Sequence, residues 1–318
     1  MRLPKQESEH MYKILVTGGS GFIGSNVIRG LSKSHRVINF DLNPSKNTMI
    51  EEVIGDIRDK ELVEQVVEKC DIIIHLAAQV SVPLSIDYPQ KTFDINVEGT
   101  QNIIDAAHKF GIKRLIIASS AAVYGEVSNL PLKEESAGQC LSPYAQSKWK
   151  NESQIMLARD AGLEAVALRF FNVYGPGQST NGAYAAVIPK FVEMLTSGKQ
   201  PIVYGDGLQS RDFVHVKDLI RAIEHLLQCD WNLIDGHAYN LASQSQTTIL
   251  EIIELINNSI EKINPDFNTV GPNFEQSRKG DIKHSFADIS KITSMLNWKP
   301  SVELSQGIEE LVGIRLNQ

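Results

Sequence analysis

Three cysteines, Cys70, Cys140 and Cys229, are all that the 318-residue chain contains, and none belongs to a C-x-x-C pair. So small, odd and scattered a set excludes a disulfide framework and a dithiol redox motif, and it predicts reduced thiols in a cytoplasmic protein. The eight histidines show no H-x-x-x-H spacing, so no metal site is expected. No Lys/Arg-rich run occurs and the net charge is −7. Neither nucleic acid nor an anionic membrane surface is therefore an expected partner. The longest apolar stretches, such as IIIHLAAQV, are far shorter than a bilayer requires. The first ten residues, MRLPKQESEH, are read as a polar tail without the apolar stretch of a signal peptide. What remains is 42% apolar and 22% charged, ordinary globular chemistry long enough for one large core or two lobes.

Short apolar runs recur along the first half: YKILVT (12–17), RVINF (36–40), DIIIHL (71–76), KRLIIAS (113–119) and EAVALRF (164–170). Helical patterns separate them. Val27, Ile28 and Leu31 fall on one side, as do Leu62, Val63, Val66 and Val67, and Ile103, Ala106, Ala107 and Phe110 follow i, i+3, i+4, i+7 spacing. Nearly continuous apolar strands alternating with amphipathic helices predict a parallel sheet covered on both faces, an α/β doubly wound fold. The regularity weakens after residue 171. Helices are expected in AVIPKFVEMLTSGK, ended by Gly198, and in VHVKDLIRAIEHLLQ, and a last strand in AYNLAS (238–243). The expected division is a Rossmann domain over 11–171 plus about 211–243. A smaller mixed α/β lobe then takes 172–210 plus about 244–318.

TGGSGFIG places Gly18, Gly21 and Gly24 where the first strand turns into the first helix. Glycines let a backbone approach a pyrophosphate, and free N–H groups at a helix start favour its charge. Asp41 ends the second strand, 23 residues after Gly18. A carboxylate there accepts hydrogen bonds from an adenosine ribose and repels a 2′-phosphate, which favours NAD over NADP. In GDIRD (55–59), Asp56 with Ile57 either edges the adenine or Asp56 caps the next helix. In SPYAQSK, Tyr144 and Lys148 share one helical face at i, i+4. A lysine ammonium there is expected to stabilise a phenolate and lower the tyrosine pKa from its ordinary value of about 10.

Together with HLAAQ (75–79), SSAAVYG (119–125), YAQSK (144–148) and FFNVYGPGQ (170–178), these features resemble the extended short-chain dehydrogenase/reductase family, and within it the NAD-dependent nucleotide-sugar epimerases. The resemblance runs from about residue 12 to 300. It implies a C4 epimerase working through a 4-keto sugar, with Tyr144 as base, Lys148 also on the nicotinamide ribose, and Ser120 orienting the reacting hydroxyl. By the same resemblance Phe22, Ile23, Leu76, Ala77, Ala78, Gln79, Asn96, Ser119 and Phe170 line the cofactor, and Ser81 the substrate. Arg211 and Arg278 are implied as diphosphate ligands and Asp281 as the uridine-ribose ligand. Asn172 would contact the sugar or diphosphate, and Val187, Ile202 and Tyr204 the uracil. Helices 95–110 and 143–160 are implied as a homodimer seam.

Ala121 and Ala122 stand where the family's 4,6-dehydratases carry an Asp-Glu pair, and alanine cannot move a proton. GPGQSTNGAYAA lacks the basic residue that uronate-acting members place after YGP. NADPH-using reductases are disfavoured by Asp41. Ser285 occupies a position that borders the sugar C2 substituent in these epimerases, where a small residue admits an N-acetyl group. Ala122 and Ala186 also leave room. The expected substrate is therefore UDP-GlcNAc/UDP-GalNAc, with UDP-Glc/UDP-Gal as the rival or a second substrate. A dehydratase or reductase of the family, or a non-catalytic nucleotide-binding scaffold, are the other classes.

Overall fold

In the first strand, β1 (Lys13–Thr17), the side chains of Ile14, Leu15 and Val16 are all fully buried. A strand that buries successive residues is covered on both faces. The computed structural model describes residues 11–45, 50–126, 129–180, 186–234, 236–277 and 282–317. The polar tail, Arg278 and Asp281 lie outside the described residues.

After β1 come β2 (Arg36–Asp41), β3 (Glu51–Ile54), β4 (Ile72–His75), β5 (Arg114–Ser120) and β6 (Glu164–Phe170). Short strands β7 (Val173–Tyr174), β8 (Ile202–Tyr204), β9 (Ser210–Arg211) and β10 (Val214–His215) follow, then β11 (Ala238–Leu241), β12 (Thr247–Thr248) and β13 (Asn273–Glu275). Seven of these strands form one sheet in the order β11-β6-β5-β4-β1-β2-β3, parallel throughout. The order reverses between β1 and β4, which opens a crevice beyond their C-terminal ends.

The helices are α1 (Phe22–Leu31), α2 (Lys60–Val67), α3 (Val82–Asp87), α4 (Pro89–Phe93), α5 (Gly99–Lys109), α6 (Pro143–Asp160), α7 (Val187–Thr196), α8 (Val216–Gln228), α9 (Ile249–Ile263), α10 (Ser290–Leu296) and α11 (Leu304–Leu316). No helix among the described residues is long and apolar enough to cross a membrane. The period of two along each strand sorts the core. Ile14, Val16, Ile72, Ile74, Ile116 and Val166 face α1 and α8, while Leu15, Ile73, Leu115, Ile117 and Ala165 face the other way, toward α2 and α5.

A third core, with Phe191, Val203, Ile252, Ile256 and Ile308, belongs to α7, α9, α11 and β8. Ala287, Ile289, Ile292, Leu296 and Trp298 join the sheet's core instead. The chain thus returns to the sheet within the 244–318 stretch that the sequence reading gives wholly to the smaller lobe. No apolar periodicity announces this, because α10 is only two turns long.

Asp218, buried in the first turn of α8, ties that return in place. Its carboxylate accepts from the Ser301 amide at 3.0 Å, the Ser301 hydroxyl at 2.9 Å, the Val302 amide at 3.0 Å and Arg221 Nη1 at 2.6 Å. Its carbonyl accepts from Trp298 Nε1 at 3.2 Å. Asp218→Ala keeps the carbonyl but strands the donors to the carboxylate and should cost about 3 kcal/mol in urea unfolding. A loss below about 1 kcal/mol would contradict this role for the carboxylate.

Candidate active site

The glycines divide the work of the first turn. Gly18 has φ +69°, and a Cβ there would stand 2.7 Å from the Ala77 amide nitrogen, in the segment that leaves β4. A Cβ on Gly24 would stand 2.2 Å from the Gly18 carbonyl oxygen. A Cβ on Gly21 meets only the Gly18 oxygen, at 3.3 Å. The outer two glycines therefore let loop, helix and β4 pack together, and the middle one leaves the loop face open. Helix α1 starts at Phe22 and Ile23 with no side-chain cap and no acidic residue in its first turn. Its free N–H groups suit an anion, so the cradle fits the pyrophosphate of NAD.

Asp41 stands beside this loop. Its Oδ2 accepts from the Ser20 amide at 3.1 Å and its Oδ1 from the Asn43 amide at 2.9 Å. Asp56 is not the cap of α2, which is Asp59, accepting from the Leu62 amide at 3.1 Å. Asp56 pairs with Arg58 at 2.6 Å, and the hydrogen bonds from Arg58 hold its carboxyl below the usual range. Ile57 is buried in the core on the α2 side of the sheet.

A buried polar chain stitches β1 to β4 and α5. The Thr17 hydroxyl meets His75 Nδ1 at 2.7 Å and accepts from the Leu76 and Ala77 amides at 3.2 Å each. His75 Nε2 lies 2.9 Å from the Thr100 hydroxyl, which donates to the Asn96 carbonyl. Thr100 can then only accept from the ring, so Nε2 carries the proton. Burial, with Lys148 adding, lowers His75 to about 3, which leaves it neutral.

Asn96 sits in a single π-helical turn, Asp94–Glu98. Its Oδ1 accepts from the Gln79 amide at 2.7 Å, and its Nδ2 donates to the Gln79 carbonyl and to Ser147 Oγ. The loosened carbonyls are recovered by side chains: Asn151 donates to Asn96 and Gln154 to Val97. Ser81, which caps α3, donates its amide to the Gln79 side chain.

Helix α6 presents Tyr144. Ser142 caps it by accepting from the Ala145 amide at 3.1 Å, Pro143 fills the first helical position, and Ser85 of α3 accepts from the Tyr144 amide at 3.1 Å. Ser120, the last residue of β5, stands beside the phenol and opposes the rise in its pKa. Ser120 Oγ also accepts from the Ala122 amide at 3.2 Å, in the turn Ala121–Tyr124, and pairs in register with Phe170. Lys148 Nζ donates to the Ala118 carbonyl at 2.8 Å. Ser119 Oγ donates to Glu152.

The electrostatics differ from the expectation. Burial raises the Tyr144 pKa and the Ser120 hydroxyl opposes that; burial lowers Lys148 to about 8, opposed by Glu152. The i, i+4 spacing does put both residues on one face. The phenol's partner is nevertheless Ser120, while the longer lysine reaches past it to the β5 backbone.

Of the expected nucleotide-end residues that are described, Asn172, Tyr204, Arg211 and Ser285 gather around the segment 209–212. Asn172 Nδ2 donates to the Asp212 carbonyl at 2.8 Å, and Arg211 Nη1 to the Ser210 carbonyl at 2.8 Å. That carbonyl also accepts from the Ser285 amide at 3.1 Å, and Gln209 donates to the Tyr204 carbonyl at 2.9 Å. Strand β6 links the clusters, ending at Phe170 beside Ser120 and running on to Asn172. Ile202 lies with Tyr204 on β8, while Ala186 and Val187 open α7. Ala78 leaves β4 half-buried between Ala77 and Gln79.

Sequence reasoning missed Thr17, His75, Ser85, Thr100, Ser147, Glu152 and Arg169. Two of these carried a signal: Glu152 extends the Tyr144–Lys148 spacing by one more helical turn, and Arg169 is a charge inside an apolar strand that Glu164 opens.

Comparison with known proteins agrees with this fold. A UDP-N-acetylglucosamine 4-epimerase from Methanobrevibacter ruminantium M1, solved with UDP-N-acetylmuramic acid, superimposes with a TM-score of 0.89 at 34% identity, covering 96% of this chain and 99% of that one. The UDP-glucose 4-epimerase of Mycolicibacterium smegmatis is 32% identical over 314 residues, 94% of this chain and 97% of the relative. A UDP-N-acetyl-alpha-D-glucosaminuronate decarboxylase of Bacillus cytotoxicus is 31% identical over 320 residues, 94% and 96% of the two chains. The sequence model of one family matches residues 14–242, and the chain accordingly belongs to the NAD dependent epimerase/dehydratase family.

Proposed function

We propose that this protein is an isomerase that inverts C4 of a UDP-hexose, with UDP-GlcNAc/UDP-GalNAc as its principal pair. The observation that carries the reading is the placement of Tyr144 beside Ser120 at the end of β5, with Lys148 one turn further along α6 and docked on the Ala118 carbonyl. NAD, held by the glycine turn over 18–24 and Asp41, would supply reversible hydride chemistry at the sugar C4. The chain's own residues handle the proton. Tyr144 takes it from the sugar 4-hydroxyl and returns it once the ring has turned its other face, while Ser120 orients the oxygen. The lysine ammonium offsets the phenolate charge. Arg211 and Arg278 hold the diphosphate while the ketone stage of the sugar rotates, and Asp281 holds the uridine ribose. Asn172 contacts the sugar or diphosphate. Val187, Ile202 and Tyr204 receive the uracil.

Ala121 and Ala122 follow Ser120 directly and offer no acid or base, which supports epimerisation over dehydration. The Methanobrevibacter structure, named for UDP-N-acetylglucosamine, supports the N-acetyl assignment together with the small side chains of Ser285, Ala122 and Ala186. The name of the Mycolicibacterium relative favours a second reading, UDP-Glc/UDP-Gal, as substrate or co-substrate. Against the decarboxylase chemistry named for the Bacillus relative, GPGQSTNGAYAA has no lysine or arginine for a uronate carboxylate.

Tyr144→Phe should lower turnover by about 10²–10⁴-fold while NAD stays bound. Chromatography of the C4 epimer checks this, and a parent-like rate removes Tyr144 from the mechanism. Ser285→Tyr should reduce kcat/KM for UDP-GlcNAc more than for UDP-Glc, and equal losses would remove the C2-pocket argument. The reading includes a homodimer seamed through α5, its preceding π turn and α6, where Met156 and Leu157 are 44% and 63% exposed. Light scattering should then give twice the 35.3 kDa chain mass, and a monomer at micromolar concentration would contradict it.

A further inference from the structure

Beneath Lys148 lies a charge cluster to which the proposed chemistry assigns no role. Glu152 is one helical turn beyond Lys148 on α6 and is 1% exposed. Its two carboxylate oxygens accept from Arg169 Nε at 2.9 Å and Nη2 at 2.8 Å, and the first also accepts from the Ser119 hydroxyl. Arg169, 2% exposed, spends its remaining reach on the Tyr124 hydroxyl at 2.9 Å and the Glu134 carbonyl at 2.8 Å. Lys148 and Glu152 are thus docked on consecutive residues of β5, Ala118 and Ser119, with Ser120 and Tyr144 next in line.

We propose that Glu152 is a positioning residue for the reaction: clamped by Arg169 and Ser119, it is the buried counter-charge against which Lys148 carries its ammonium beside Tyr144. This rests on the reading of Tyr144 and Lys148 as the acid–base pair. Two buried cations, Lys148 and Arg169, share one buried anion, Glu152. A phenolate at Tyr144 completes the balance, so the cluster stores a site for one more negative charge. Without the carboxylate the two cations repel each other in a low dielectric, and Lys148 sheds its proton at lower pH.

The other titratable groups packed on the cluster do not replace Glu152. His75 on β4 is held neutral by burial. Tyr124 after β5 is pushed up by burial, as are Cys140 ahead of α6 and the Glu134 carboxyl, whose Oε1 accepts from the Asn240 amide. His237 before β11 is pulled down by burial. Lys291, over the Tyr239 ring, acts on Glu134.

The test is the pH profile of kcat/KM for NAD-loaded enzyme with UDP-GlcNAc and UDP-Glc, comparing the parent with Glu152→Gln and Glu152→Asp. The acid limb reports Tyr144 losing its proton and the alkaline limb Lys148 losing its own, as apparent values of the coupled pair. Gln keeps the shape and an acceptor oxygen but removes the charge. Its alkaline limb should move down by about one pH unit or more. Asp keeps the charge and should keep the parent's limb. A Gln profile that is merely scaled, with both limbs in place, makes Glu152 a structural ion-pair member and overturns the proposal. If the Gln variant does not fold, the Asp variant decides: an unmoved limb supports the proposal and a limb moved down overturns it. Parent-like turnover by Tyr144→Phe would sink the underlying reading instead, which separates the two failures.

Discussion

The site depends on one helix lying in a fixed register on one strand. Tyr144, Lys148 and Glu152 lie on successive turns of α6; Lys148 and Glu152 are hydrogen-bonded to Ala118 and Ser119 of β5, and Tyr144 stands beside Ser120. A slide of α6 would break all three contacts at once. The helix is also held at its start by Ser142 and Ser85, and along its inner face by Ser147 and Asn151 on the π turn of Asn96. Such a clamp fixes the start and inner face of α6, the helix that carries the Tyr144 phenol.

The second constraint is the switch point of the sheet. The strand order reverses at β1 and β4, and both strands deliver their next residues into the same crevice. Gly18 and Ala77 touch there, and Thr17 holds the backbone of Leu76 and Ala77. The dinucleotide cradle and the strand end that carries Ser120 are therefore parts of one sheet edge. Burial raises the phenol's pKa and the Ser120 hydroxyl opposes that. An ammonium one turn along α6 is the charge that favours its ionisation.

Much of this was legible in the residues. The five first-half strand runs appear within about one residue of their expected ends, since buried parallel strands announce themselves as unbroken apolar runs, while the strand expected over 238–243 stops at Leu241. Glycine spacing marked the turn from β1 into α1, and the four-residue spacing put Tyr144 and Lys148 on one face of α6. Side-chain reach was not legible: nothing in the spacing says that Lys148 passes the phenol and ends on a carbonyl, or that Asp59 and not Asp56 caps α2. The π turn was equally hidden, because side chains four to five residues or far more distant pay back its carbonyls. The return of α10 and Trp298 to the sheet depends on Asp218, a residue 80 positions earlier, and no local pattern encodes such a contact.

A difference-absorbance titration of NAD-loaded parent protein against NAD-loaded Tyr144→Phe would isolate the phenolate signal of this one residue. The account predicts ionisation well below the ordinary tyrosine value of about 10. Ionisation at or above that value, in the loaded protein, would contradict the claim that the α6–β5 clamp makes Tyr144 a base.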